Sequence, residues 1–474
     1  MRTGRWWSGA ALLGLTALFV PLVSACVPRK EPAAKPADPV TQKETPAPAS
    51  PAPTSPVAPA PPPAPATPAE DGPVNTAAFQ GLGKLAYVYK GKLFMLDGQS
   101  GRVTALTHDG YALAPAWSAD GSWIAYLKLD DPRSGAGRLW FVKPDGTGAH
   151  AAEGLDMPVY RFEFSWSPTA AQVVVTPSDP GARQGVYLAA PDRPARLIAA
   201  PDTQIYRALF SPDGKQIAYV TLTRVPGRIP PLDTLYTVSA EGGEPVKHFD
   251  GGENAISLAG WWPDGKGVYY WLQNSHSASL AADGAPLGSR ALAAGAAEQS
   301  LTITLMNPDW LSPAGKPGQI LVVQGGGREP WVTKSLALCD VVSAVCRDLP
   351  SAQGTVDLDP AFAPTGDRMA FVRAQGVQAG AQPPKYAEWF TTRTLFLANA
   401  DGSGARPLSE AGGGVMNPVF SRDGSRLLYL QNDSLWAIRL EGGAPVRILG
   451  PVKPLEDAPN YGSLAWGSTL AWRP

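Results

Sequence analysis

Side chains capable of chemistry are few and scattered in this chain. The four histidines, His108, His150, His248 and His276, lie far apart. No Cys-x-x-Cys or His-x-x-x-His spacing occurs, so no local metal-ligand set is legible. No Gly-x-Ser-x-Gly stretch is present to form a nucleophile elbow. Gly260 to Lys266 has phosphate-loop spacing, but Gly267 stands where a Ser or Thr is needed and no helix pattern follows. Asp357 and Asp359 alternate onto one face of an extended stretch and could contribute to a Ca²⁺ site, although two carboxylates are thin for that ion. Cys339 and Cys346 fall on two extended runs joined by a short turn. Opposite each other they can form a disulfide in an oxidising compartment; otherwise they are two buried thiols. Neither reading is catalytic, and no metal or cofactor is expected.

The elements that must carry these residues repeat. Phe210-Ser211-Pro212-Asp213-Gly214 joins a short apolar strand to Ile217-Ala218-Tyr219-Val220 through a tight turn. Related copies are Trp117-Ser118-Ala119-Asp120-Gly121, Trp166-Ser167-Pro168, Trp262-Pro263-Asp264-Gly265, Phe362-Ala363-Pro364-Thr365-Gly366 and Phe420-Ser421-Arg422-Asp423-Gly424. A weak copy lies at Trp310 to Gly315 and a truncated one at Leu464-Ala465-Trp466-Gly467. The spacing is roughly 44 to 58 residues, near the period of a four-stranded propeller blade. A second strand pair with its own turn follows each copy, as in Leu235-Tyr236-Thr237-Val238 before Glu241-Gly242-Gly243. One such sheet buries too little to stand alone, and stacking in a ring buries both faces. The expected fold is therefore all-β: an eight-bladed β-propeller over 79–474, with seven blades as the alternative because the copy near 310 is degraded. Leu85 to Tyr89, Lys92 to Leu96 and Val103 to Leu106 supply only three strands of a blade. Ser463 to Trp466 is the expected fourth, closing N- and C-terminal strands into one blade without an open edge.

These motifs resemble the TolB-type repeat, a relative of the WD repeat centred on Trp-Ser-Pro-Asp-Gly. The resemblance covers about residues 83 to 474. It implies a propeller and envelope work with protein partners. The chain departs from TolB in its lipobox-like N-terminus, its long tether, its blade count and its lack of room for a separate N-terminal α/β domain.

The N-terminus supplies the address. Arg2 and Arg5 precede an apolar run from Ala10 to Val20, too short for a stable span. Leu22-Val23-Ser24-Ala25-Cys26 resembles a bacterial lipobox, which implies removal of residues 1–25 as a signal peptide and acylation of Cys26. That leaves 38 basic against 41 acidic residues, a charge of −3, which suits neither nucleic acid nor a polybasic membrane surface. Residues 26–78 are rich in Pro, Ala and Thr and read as a tether reaching about 150 Å at ~3.1 Å per residue. The expected location is the cell envelope: the outer side of the cytoplasmic membrane, or the outer membrane where one exists.

Alternation of strands places the long loops on one face, at 130–138, 178–184, 223–233, 325–334 and 376–392, and the tight turns on the other. The elaborated face is the expected binding face. Its candidates are Arg224 and Arg228 in a stiff basic loop, and Tyr386, Trp389 and Phe390 in the longest one, which either project as an interface or fold back as a small cap over the blade edge. Around the channel mouth stand Glu163, Arg207, Asp359, Asn417 and Ser463, three residues before the repeat's aromatic, with Tyr160, Tyr206 and Tyr461 just upstream. The expected function is a non-catalytic, monomeric lipoprotein propeller binding an envelope protein or peptide. The alternative is a channel-site lactonase- or lyase-like enzyme or a carbohydrate-binding protein.

Overall fold

The computed structural model describes residues 74–474 except 132–135, 161–163, 178–182, 202, 229–230, 275–283, 328, 379, 383 and 453–468. Cys26, Glu163, Tyr461, Ser463 and His276 thus lie outside the described residues. Eight antiparallel sheets follow one another along the chain. Blades 1 to 7 start from the inner strands Tyr111–Trp117, Phe164–Trp166, Gln204–Phe210, Asn254–Trp261, Leu311–Pro313, Thr355–Phe362 and Met416–Phe420. Each has four strands in chain order, and blade 1 gains a fifth, Val159–Tyr160, which pairs with its third strand Ala136–Val142. The degraded copy near 310 is a full blade, so the count is eight.

Blade 8 joins the two ends. Lys84–Tyr89, Lys92–Asp97 and Val103–Ala105 pair in order, and the fourth strand is Leu470–Arg473, with Lys84 opposite Arg473 and Tyr87 opposite Leu470. Among the described residues the strand that closes the ring is Leu470–Arg473, just past the expected Ser463 to Trp466, which lies outside them. A search anchored on the turn does not find it, because this strand's partner comes from the other end of the ring. Leu470 is buried and the Trp472 indole donates to Leu82 O at 2.6 Å. Residues 74–78, assigned to the tether by composition, pack on blade 7: Asn75 N–H donates to Ile448 O at 2.8 Å, and Val74 and Ala78 join the cluster around Phe79.

The repeat's residues have local reasons. In Ser211-Pro212-Asp213-Gly214 the Ser211 hydroxyl donates to Asp213 Oδ1 at 2.6 Å and accepts Gln216 N–H at 2.9 Å. Asp213 accepts Lys215 N–H, and Gly214 takes a φ of +72° that side chains avoid. A Cβ on Gly214 would also meet Thr169 Oγ1 of blade 2 at 2.2 Å. The same network recurs at Ser118–Asp120 and Ser421–Asp423, whose hydroxyls pull both carboxyls down to about 2. The motif tryptophans pack and also staple. Trp117, Trp166 and Trp261 donate through Nε1 to Ala471 O, Ala116 O and Leu209 O, carbonyls of the preceding blades' inner strands, at 2.9 to 3.0 Å.

The core lies in the seams between blades. Val220 and Leu235 of blade 3 meet Ile256 and Leu258 of blade 4. Leu127 of blade 1 meets Val173 and Val175 of blade 2. Ala86 and Met95 of blade 8 meet Ile124 and Tyr126 of blade 1. Stability is thus a chain of nearest-neighbour contacts closed into a ring. No described helix is long and apolar enough to cross a membrane.

Candidate binding face

Bulges in the inner strands shape the channel mouth. Pairing slips between Leu113 and Ala116, Tyr206 and Leu209, Leu358 and Ala361, and Met416 and Val419. Within each slip one residue is left-handed: Ala114 (φ 52°), Arg207 (29°), Asp359 (47°) and Asn417 (46°). The varied position three residues before the aromatic is therefore a bulge, which breaks the alternation and re-aims the side chain. Holding non-glycine residues there costs on the order of 1 kcal/mol each.

This overturns the shared-face reading of Asp357 and Asp359. The bulge turns Asp359 away from the strand's alternation, and each carboxylate is met by its own guanidinium. Arg373 grips Asp357 with two bonds, Nε–Oδ1 at 2.6 Å and Nη2–Oδ2 at 2.8 Å. Arg393, fully buried, bonds Asp359 through Nη2 and Val415 O through Nε at 3.0 Å. Asp359 Oδ2 also accepts Asn417 N–H at 3.0 Å. Two neutralised carboxylates are a poor cation site; they clamp blade 6 and couple it to blade 7. No group of three or more metal-ligating side chains occurs among the described residues.

Similar clamps sit at the start of the third strand elsewhere on this face. Asp233 of blade 3, 3 % exposed, accepts Ile256 N–H of blade 4 at 2.8 Å. Burial pushes its carboxyl up to about 6. Lys334 of blade 5 accepts Asp357 N–H of blade 6 on its carbonyl at 3.1 Å. Its buried ammonium donates to Gly326 O, Gly327 O and Val332 O, which ties down the 325–334 loop, and burial lowers it to about 8.

The aromatics of 376–392 do not project freely. The short helix Tyr386–Phe390 folds back over blade 6; Trp389 is 3 % exposed and donates to Gln375 O at 2.7 Å. Trp331, from the neighbouring blade's loop, stands edge-on to Trp389 and Tyr386 at 5.4 and 6.4 Å between ring centres. Val377 N–H donates to Trp331 O at 2.7 Å. The loops of blades 5 and 6 therefore form one platform. Trp331, Tyr386 and Phe390 are half-buried in it, and Lys385, Ala387 and Glu388 are exposed along its helix. Lys385 pairs with Glu388 at 2.9 Å.

The remaining candidates separate. Arg224 is exposed, whereas Arg228 folds back to donate to Gly252 O at 2.6 Å. Tyr160 is half-buried in blade 1's extra strand. Asn417 is buried at the blade 7 bulge. Tyr206 and Arg207 lie on blade 3's inner strand, Arg207 within its bulge. His248 is bonded on both ring nitrogens, to Thr237 Oγ1 at 2.8 Å and Leu292 O at 3.1 Å; His150 Nδ1 faces Gly148 O at 2.6 Å. Cys339 and Cys346 are opposite in register and disulfide-bonded. Sequence reasoning missed Arg373, Arg393, Lys334 and Trp331. Their one available signal is position, in or beside the long loops that join second to third strands.

No family model and no curated protein matches the chain. Solved structures similar to it include a putative TolB from Agrobacterium tumefaciens, with 15 % identity, 72 % of this chain and 94 % of that one covered, and a TM-score of 0.33. TolB from Acinetobacter baumannii gives 19 %, 57 %, 64 % and 0.34. A puromycin hydrolase S511A mutant complexed with PGG gives 16 %, 76 %, 60 % and 0.42. The chain thus spans less than two thirds of the latter two. At these scores the propeller assignment rests on this chain's own strand pairing. That ring and its turn motif match the TolB-type propeller expected from the repeat.

Proposed function

We propose that this chain is a non-catalytic cell-envelope lipoprotein whose propeller captures a protein or peptide partner on its loop-bearing face. The observation that carries the reading is the platform built by the loops of blades 5 and 6. Those loops are tied together by a backbone hydrogen bond and by stacked edges of Trp331, Tyr386 and Trp389, and the platform ends in half-buried rings beside a charged helix edge. Rigid aromatic surface rimmed by charge is what protein interfaces use, because little side-chain entropy is lost on docking. The lipobox-like Cys26 and the proline-rich 26–78 segment would hold this face at a distance from the membrane.

Cross-linking in cells, followed by mass spectrometry, tests this. Ala387 is exposed in the middle of the platform helix, so Ala387→Arg blocks the surface without disturbing the core. Glu241→Arg, on a tight turn of the opposite face, is the control. The expected result is one envelope protein captured by wild type and Glu241→Arg and reduced at least tenfold in Ala387→Arg. Equal capture by all three removes the platform as the docking site. Stoichiometric, tightly bound metal in the purified protein would instead support channel-site enzyme chemistry.

A further inference from the structure

Residues 74–82 belong to no sheet, yet they are held at several points. Asn75 N–H donates at 2.8 Å to Ile448 O on the outer strand of blade 7, Val446–Leu449. The Asn75 side chain shapes the turn that follows by accepting Ala78 N–H at 3.0 Å. Arg426, at the start of blade 7's second strand, donates through Nη1 to Gln80 O at 3.0 Å. Phe79 and Leu82 are buried in the cluster that Leu428 and Ile448 of blade 7 share with Leu85 and Leu96 of blade 8.

Blade 8 and the C-terminal strand hold the far end of this segment. Gly81 N–H donates to Gly98 O at 3.0 Å, Gly98 N–H to Gly83 O at 2.7 Å, and the Trp472 indole to Leu82 O. A Cβ on Gly98 would fall 2.7 Å from Phe79 O, so only glycine lets the segment lie this close to blade 8. Just beyond it, Lys84–Tyr87 pairs with Leu470–Arg473, and that pairing closes the ring. Lys84–Tyr89 shares a covalent hairpin with Lys92–Asp97 on one side, but on the other it has only hydrogen bonds and packing to Leu470–Arg473. Tension entering at Lys84 would pull along this strand and shear it from its C-terminal partner.

We propose that residues 74–82 are a strap that passes tension arriving from the proline-rich segment to blade 7 before it can reach the closing pair. This rests on the reading of the proline-rich segment as a membrane tether. The direction follows from the order of attachments along the chain. Asn75 meets blade 7 first, Phe79 and Gln80 are fixed next, and Lys84 comes last. Each attachment ahead of Lys84 has to yield before that strand is pulled. A partner on the platform of blades 5 and 6 is then connected to the tether through blades 6 and 7, across the Asp359–Arg393 pair and the Asn417 N–H bond, and blade 8 lies off that path. The strap answers a problem of the topology: the strand nearest the tether is also the strand that holds the ring shut.

The test pulls the full chain in magnetic tweezers in two geometries. The first runs from an N-terminal handle to a thiol handle at Ala387→Cys on the platform. The second runs from Ala387→Cys to Glu241→Cys on blade 3, and the strap is not on its path; both positions are exposed. Cys26→Ser removes the competing thiol, and Cys339 and Cys346 are already bonded to each other. The readout is the lifetime at constant force, because forced opening follows the unfolding rate. Phe79→Ala is expected to shorten that lifetime about tenfold or more in the first geometry and less than about threefold in the second. Arg426→Gln removes the side-chain donor to Gln80 O and no backbone bond, and should shorten it about threefold in the first geometry alone. Equal shortening in both geometries would make the segment ordinary core packing, and an unchanged lifetime in the first would remove the strap. Should Phe79→Ala fail to fold, Arg426→Gln decides it. Anchoring is read separately, by membrane fractionation of Cys26→Ser, so the strap and the tether can fail independently.

Discussion

The carboxyl of Asp233 is a buried acid whose energetic effect can be worked out and measured. It sits at the seam between blades 3 and 4, 3 % exposed, accepting Ile256 N–H, and burial moves it from 3.8 to about 6. The folded state therefore holds this proton more tightly than the unfolded state does. Below pH 3.8 both states carry the proton and its folded-state benefit is complete. As pH rises through about 6 the proton is lost, and that contribution goes with it. At about 1.4 kcal/mol per tenfold step, ionisation in the fold costs up to about 3 kcal/mol, and relaxation of the seam brings this nearer 1 to 3. Asp233→Asn keeps an oxygen for Ile256 and cannot ionise. It should be about 1 to 3 kcal/mol more stable than wild type at pH 8 and near-equal at pH 4, read from urea unfolding across that range. His248 has the opposite sign, since burial lowers its pKa and its stability contribution is lost on acidification. Comparing variant with wild type at each pH cancels it. A stability difference that does not change between pH 4 and pH 8 would refute the claim that burial of this carboxyl couples the seam to pH.

Other substitutions probe the remaining joints. Asp359→Ala strands the fully buried Arg393 and should cost about 3 to 5 kcal/mol in urea unfolding, whereas Asp359→Leu with Arg393→Met should cost less, because no unpaired charge remains. Trp261→Phe keeps the ring's packing but deletes the donor to Leu209 O, and should lower stability by about 1 kcal/mol with hydrogen exchange rising first at the blade 3–4 seam. Reducing Cys339–Cys346, seven residues apart, removes about 2.5 kcal/mol of chain constraint; deuterium uptake should rise in blade 5 more than in the blades opposite. Cys26→Ser should move the chain from the membrane to the soluble fraction, and unchanged membrane partitioning would remove lipid anchoring at that residue.

The fold was legible because its signals are local and repeated. Ser211, Asp213 and Gly214 each satisfy a bond or a backbone angle within five residues, so the same letters recur wherever the same turn does. The closing strand escaped for the complementary reason: Leu470–Arg473 pairs with Lys84–Tyr87, nearly four hundred positions away, so nothing local marks it. The loop-bearing face was legible as a set of long loops but not as a surface. Alternation put Asp357 and Asp359 together, and a bulge, which leaves no mark in the residue pattern, separated them. Trp389 read equally as an exposed aromatic or as part of a cap folded over the blade edge; its indole found Gln375 O and its ring found Trp331 from another blade.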